Sequence, residues 1–265
     1  MAVIQKYAGS PWLYDENTGD IVGIKDADSG EKYFAALGQF QPASYKSAPA
    51  LSIAAAASTF TSLTYEADGA NVRLVSAGVH GIAAGSVGHF VYVTWAGGTG
   101  VNGFYKILDR SVTTKLTIEL AHVSGLGTPT VSLVNADITL ATQTIPAGTM
   151  NPGMVLELDV LIGCTGSSNN KTVKANLGSA AWYSQTFASS FQSLCVEKKA
   201  CVISSTDIIA NALAAPGHGT ATGANVTMTP SGGIGAAQDL TIVGSIANAG
   251  EFLRLEAWSL KINGA

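Results

Sequence analysis

The sequence predicts an all-β protein built from an amino-terminal arm, a small β-barrel or sandwich, and a carboxy-terminal jelly-roll β-sandwich. Three observations point there. Short β-branched and aromatic runs recur along the chain, separated by turn clusters roughly every ten residues. The 265 residues include 30 glycines, and only 12% are charged. Soluble proteins average roughly 25% charge, so Ser, Thr, Asn, Gln and Gly must cover this surface, as suits a turn-rich protein or one that buries its outside by assembly. Sustained Glu/Lys/Arg/Leu patterning is missing, which excludes a helical bundle.

Residues 1–49 read as an arm and linker. "WLYDENTGDIVGIKDADSGEKYFAAL" carries two turn clusters, Asn17 to Asp20 and Asp26 to Gly30, around the short apolar strand from Ile21 to Ile24. Such a meander has too little apolar area to be stable alone. "QFQPASYKSAPA" (39–50), with two prolines and small polar residues, reads as a linker.

Residues 50–134 form the predicted small barrel or sandwich. The alanine-rich stretch 50–59 is the one plausible helix, and it runs straight into β-prone "TFTSLTYE". "NVRLVSA", "VGHFVYVTW", "FYKILD" and "KLTIEL" follow as strands.

Residues 135–265 hold the predicted jelly roll, with strands in "MVLELDVLIGC", "KTVKANLG", "AAWYSQTFA", "SLCVEKKACVIS", "NVTMTP", "DLTIVGSIA" and "FLRLEAWSLKIN". Leu156, Leu158, Val160 and Ile162 share one face of their strand, with Glu157 and Asp159 on the other. In the last strand Leu253, Leu255 and Ala257 should face one way, and Phe252, Arg254, Glu256 and Trp258 the other.

Charge and cysteine content narrow the function. The formal net charge is −4, and Lys198-Lys199 is too short to make the basic stripe that nucleic-acid binding requires. No stretch reaches the ~18 apolar residues that span a bilayer. The first twenty residues lack the apolar core and small-residue cleavage site of a secretory leader. Three cysteines, Cys164, Cys195 and Cys201, are too few for a disulfide framework, and buried free thiols are the simplest expectation.

Motifs for chemistry are weak. "GCTGSSNNKTVKANLG" (163–178) resembles a phosphate loop at first sight, yet Asn170 stands where the second glycine belongs and a strand follows instead of a helix. The stretch is better read as the polar tip of a hairpin turning at 167–170. Asn170-Lys171-Thr172 and Asn225-Val226-Thr227 have the form of glycosylation sequons, and they read as turn-edge and strand residues. His80, His89, His122 and His218 are scattered, and the two cysteines at 195 and 201 lack a second ligand pair, so neither metal nor cofactor is expected. His80, in "VHGIAAGS", reads as closing a turn. No G-x-S-x-G occurs. Glu157, Asp159 and Glu256 are the carboxylates that would serve a glycosidase, with solubilising an exposed face as the plainer role. Trp182, Tyr183 and Trp258, with Tyr92 and Trp95, are the aromatics that would bind a glycan if exposed, although strand aromatics more often belong to a core.

Three segments resemble tailed-bacteriophage virion proteins. "LYDENTGDIVGIKDADSGEKY" is similar to the amino-terminal segment of phage structural proteins. The stretch from "VRLVSAGVHGIAAGS" to "KLTIEL" resembles a small β-domain of phage fibres and decoration proteins, with Gly81, Gly85, Gly100 and Gly103 matching its turn glycines. "LELDVLIGCTGSSNNKTVKANLG" is similar to a hairpin of phage jelly rolls, which close on a strand like "LRLEAWSLKI". The resemblance implies a non-enzymatic virion component assembled in the bacterial cytoplasm. It implies a homotrimer whose partners are the major capsid protein or another virion protein and a host-surface glycan. Trp12, Tyr14, Ile21, Val22 and Ile24 of the arm would anchor it. A capsid decoration protein or short head fibre is the leading expectation. A tail fibre with a glycan-binding head and a polysaccharide-degrading tailspike are the rivals, the latter lacking the fixed-period repeat such proteins carry.

Overall fold

In a computed structural model the described residues are 51–188, 190–212 and 224–263, together with five strands nearer the amino terminus; side chains are described from residue 54 onward. The described chain is all-β, and its sole helical element is a 3₁₀ turn at Ala84–Ser86. β1 (Val3–Ile4), β2 (Trp12–Asp15), β3 (Ile21–Asp26) and β4 (Gly30–Tyr33) pair antiparallel in chain order as a four-stranded sheet of their own. Trp12, Tyr14, Ile21, Val22 and Ile24 fall on β2 and β3, and their side chains lie outside the described residues.

A 13-stranded sheet runs through the rest of the molecule. Its first strands are β5 (Ala43–Lys46), inside the stretch expected to be a linker, and β6 (Leu51–Ala54), inside the stretch that looked helical. Next come β7 (Thr64–Asp68), β8 (Asn71–Val75), β9 (Phe90–Ala96), β10 (Gly103–Asp109), β11 (Lys115–Ala121) and β12 (Thr128–Val131). The sheet also takes β14 (Val155–Cys164), β17 (Ser193–Val202), β18 (Ile208–Ala210), β19 (Val226–Met228) and β21 (Phe252–Asn263). The pairing order is β19-β18-β17-β14-β21-β6-β9-β10-β11-β8-β7, with β12 beside β9 and β5 beside β21. It does not close into a barrel. A third sheet, β13-β20-β15-β16, comprises β13 (Ile138–Ile145), β15 (Lys171–Leu177), β16 (Ala180–Phe187) and β20 (Gln238–Ile246). It shares its core with the β17-β14-β21 part of the large sheet, giving a jelly-roll-like sandwich.

Two buried clusters hold these layers. One, drawn from residues 54–131, includes Phe60, Leu74, Ile82, Ile107 and Leu116; the other, drawn from 138–262 plus Ala55, includes Leu158, Trp182, Tyr183 and Leu260. The alanine run explains how one chain serves both. Ala54 and Ala56 enter the first cluster and Ala55 the second, because extended backbone sends successive side chains to opposite sides. Ala56 donates its N–H to Ser132 O at 3.0 Å and accepts from Val134 N at 2.8 Å. Tertiary pairing thus overrides the helical propensity of alanine, and methyl side chains let the backbones approach at this seam.

Candidate functional site

Residues 163–178 do not form the expected hairpin. β14 lies between β17 and β21 in one layer, while β15 lies between β16 and β20 in the other. The loop is a crossing between layers, and a buried ion pair organises it. Lys171 is 0% exposed, and its Nζ lies 3.0 Å from Glu251 Oε2. The ammonium also donates to Ser167 Oγ at 2.8 Å and to Asn169 O at 3.1 Å. Glu251 Oε1 accepts from Ser167 Oγ and from Asn169 Nδ2. Burial pushes the Glu251 carboxyl up, but those hydrogen bonds and the Lys171 charge outweigh it and hold the group below its ordinary range. The lysine that gave the stretch its phosphate-loop look is therefore sealed in protein and already neutralised.

A second lysine is buried with no carboxylate among its described partners. Lys198 shares the inward face of β17 with Val196, Ala200 and Val202, and is 1% exposed. Its Nζ donates to Ala212 O at 2.7 Å and Asn211 O at 3.4 Å, and lies 5.8 Å from the centroid of the Tyr183 ring. Burial lowers its pKa from 10.5 to about 8.

The three aromatics proposed as a glycan platform are core residues. Trp182 and Tyr183 are buried on β16 against the facing sheet, and the Tyr183 hydroxyl donates to Gln185 Oε1 at 3.1 Å. Trp258 was expected to face away from Leu253 and Leu255, yet all three are buried in one cluster. The cause is a β-bulge: Leu161 pairs with Ala257 and Ile162 with Leu255, leaving Glu256 as the extra residue. One inserted residue reverses the parity of everything after it, so Trp258, Leu260 and Ile262 turn inward. Glu256 is held by Arg254 and folds over Gly163, where a Cβ would lie 2.4 Å from Glu256 Oε1. The absent side chain of Gly163 makes room for the bulge.

The outer face of β17, β14 and β21 is the candidate site. A hollow of about 300 Å³ is lined by Asp159, Val160, Leu161, Cys195, Ala257, Trp258 and Ser259, of which Val160 and Trp258 are buried core residues. A neighbouring hollow of about 470 Å³ shares Leu161 and reaches Gln192, Phe252, Arg254 and Glu256. The carboxylates here already have partners: Glu157 with Lys199 at 2.8 Å, Glu256 with Arg254, and Asp159 with the Ser259 hydroxyl at 3.3 Å. The cysteines depart from the expectation of buried thiols. Cys164 is buried, whereas Cys195 and Cys201 are exposed on this face, and all three are free. Sheet alternation sends odd-numbered residues of β17 outward, so thiols at 195 and 201 emerge on the same side.

His80 closes its turn as expected. Its Nδ1 accepts from Ile82 N at 3.0 Å and its Nε2 donates to Val112 O at 3.1 Å, a pattern that requires the neutral ring. Gly81 follows at φ +69°, a conformation that favours glycine. Burial, with the Arg110 charge adding to it, lowers the His80 pKa. Among the described residues no group of three or more His, Cys, Asp or Glu is placed to hold a metal ion, and no helix is long and apolar enough to cross a membrane.

Fold and site together define the class: an all-β protein with an open, hollowed sheet face among its described residues. No family model matches the chain, and no curated protein does. Among solved structures, the crystal structure of a Stig cyclase, Fisc, from Fischerella sp. TAU is similar at 16% identity, covering 82% of this chain and 99% of that chain with a TM-score of 0.24. A likeness of that size carries nothing over to this chain.

Proposed function

We propose that the chain is a structural component of a tailed-phage virion, acting as a capsid-attached decoration protein or short head fibre. The observation that carries this reading is the separate amino-terminal sheet. Among the described strands, β1 to β4 hydrogen-bond with one another and with no strand of the other two sheets. Four strands of two to six residues bury too little to stand alone, so an arm of this kind gains its stability from a surface it packs against. The segment resemblance and the all-β sandwich are in keeping with this. The arm anchors the protein to the major capsid protein or another virion protein, and the remaining strands project from the particle. The protein works by adding buried contact area, assembles as a homo-oligomer, and needs no cofactor.

Quantitative mass spectrometry of purified virions tests the reading. A copy number comparable with that of the major capsid protein is expected. A few copies per particle would move the chain to a tail fibre, and absence from the particle would overturn the proposal. Removal of residues 1–33 should abolish incorporation into particles; unchanged incorporation would relocate the anchor.

A further inference from the structure

Two of the three described histidines, His80 and His89, lie where the smaller unit (residues 54–131) meets the sandwich. His80 ties several segments together. Its N–H donates to Thr113 O at 2.8 Å, its carbonyl accepts from Ala57 N at 2.8 Å, and its ring bonds Ile82 N and Val112 O. The turn it closes rests on the turn before β21: a Cβ at Gly81 would lie 2.9 Å from the Ala249 Cβ and 3.1 Å from that of Ala57. His89 reaches the sandwich directly, its ring stacked on that of Phe252 in β21 with centroids 4.3 Å apart. The same seam carries β6, which pairs with β21 and meets β9 through Ile53 and Phe90.

We propose that His80 and His89 make this seam an acid-sensitive latch: protonation of the rings parts the turn at 80–83 from the turn at 248–250 and frees the smaller unit to hinge about β6. The chemistry is strict at His80, which is 1% exposed. Its Nδ1 accepts a backbone N–H, so a proton arriving there from solvent must displace the Ile82 amide. Each new charge also meets a like one. From the turn after β10 His80 faces Arg110, while the neighbouring Asp109 is taken up by the Ser111 amide and hydroxyl. From β21 His89 faces Arg254, while Glu256 is already bound to that arginine. Glu251, two residues beyond Ala249, is committed to Lys171. The Phe60 and Phe252 rings and the Ala249 methyl, which also pack here, carry no charge. The seam is therefore built for neutral rings, and charging them opposes both the hydrogen bond and the local electrostatics.

Hydrogen–deuterium exchange of the full chain, read by mass spectrometry at about pH 7.5 and about pH 5, spans the range in which histidine titrates. After correction for the intrinsic pH dependence of exchange, peptides covering 78–83 and 247–251 should exchange about tenfold faster at the lower pH. Those from β14 and β17 should not change. H80N keeps an oxygen to accept from Ile82 N but takes up no proton, and H89F keeps the ring stack, so H80N/H89F should lose the acid response. H122N, whose ring packs on Tyr65 within the smaller unit, should keep it. R110M removes the charge facing His80 and should move the onset to higher pH. The proposal is overturned if the two peptides do not open together, if β14 and β17 open equally, or if H80N/H89F responds as the wild type does. Loss of the response in H122N, or an unmoved onset in R110M, would overturn it as well. R110M keeps the test decisive should the histidine variants fail to fold.

Discussion

Lys171 and Lys198 are both buried in the same sandwich, and they are accommodated in different ways. Lys171 meets the carboxylate of Glu251 and three further oxygens at the layer crossing. Lys198 meets two backbone carbonyls and the face of Tyr183, with no carboxylate among its described partners. Burial costs an ammonium its hydration, and carbonyl dipoles offset less of that cost than an opposite charge does. Burial accordingly lowers the Lys198 pKa from 10.5 to about 8. The difference separates two uses of a buried cation: one pins a loop by charge, the other fastens the end of β18 by hydrogen bonds.

The largest effect should come from breaking the paired site. Glu251→Gln leaves Lys171 buried beside a neutral group and should cost about 3–5 kcal/mol, read from urea unfolding. K171M/E251Q should cost less than E251Q alone, because no uncompensated charge remains. If the double variant is no better than the single, the ion pair is not what organises the crossing.

Lys198 comes next. Its folded pKa lies below the 10.5 of the free side chain, so below about pH 8 both states are charged and the burial penalty is fully present. Between about pH 8 and 10.5 the folded state sheds the proton first, and stability should rise by about 3 kcal/mol. Tyr183 and Cys164, whose pKa values burial raises, act in the opposite direction at alkaline pH. The measurement is therefore wild type minus K198M across that window; a flat difference would show that Lys198 remains protonated.

His80 should give the smallest response and extends the contrast to a base kept neutral by neutral partners. Its lowered pKa supplies stability that is present above about pH 6.5 and lost as the pH falls below it. An NMR titration of its imidazole should report a midpoint below the ordinary value.

Both buried lysines were legible as parity. Lys171 alternates with Val173, Ala175 and Leu177, and Lys198 with Val196, Ala200 and Val202, each lysine standing on an apolar face. Their partners were not legible, because Glu251 lies eighty residues from Lys171 in a turn before β21. The alternation of Leu156, Leu158, Val160 and Ile162 carried through to the core. That of β21 failed after Glu256, since a bulge depends on the neighbouring strand and on the space left by Gly163. The exposed thiols of the candidate face were likewise readable from β17, but the pairing of Glu157 with Lys199 across it was not, because that contact arises only when β14 and β17 come into register.

The amino-acid sequence by itself determined the all-β class, most strand positions and the turn role of His80. All of these follow from local backbone preference and period-two patterning. Tertiary structure alone decided that residues 163–178 cross between layers, that Trp258 turns inward, and that an alanine run becomes a seam between two cores. Those outcomes depend on which distant strands pair, and pairing is settled by the burial of whole faces, which no short segment encodes.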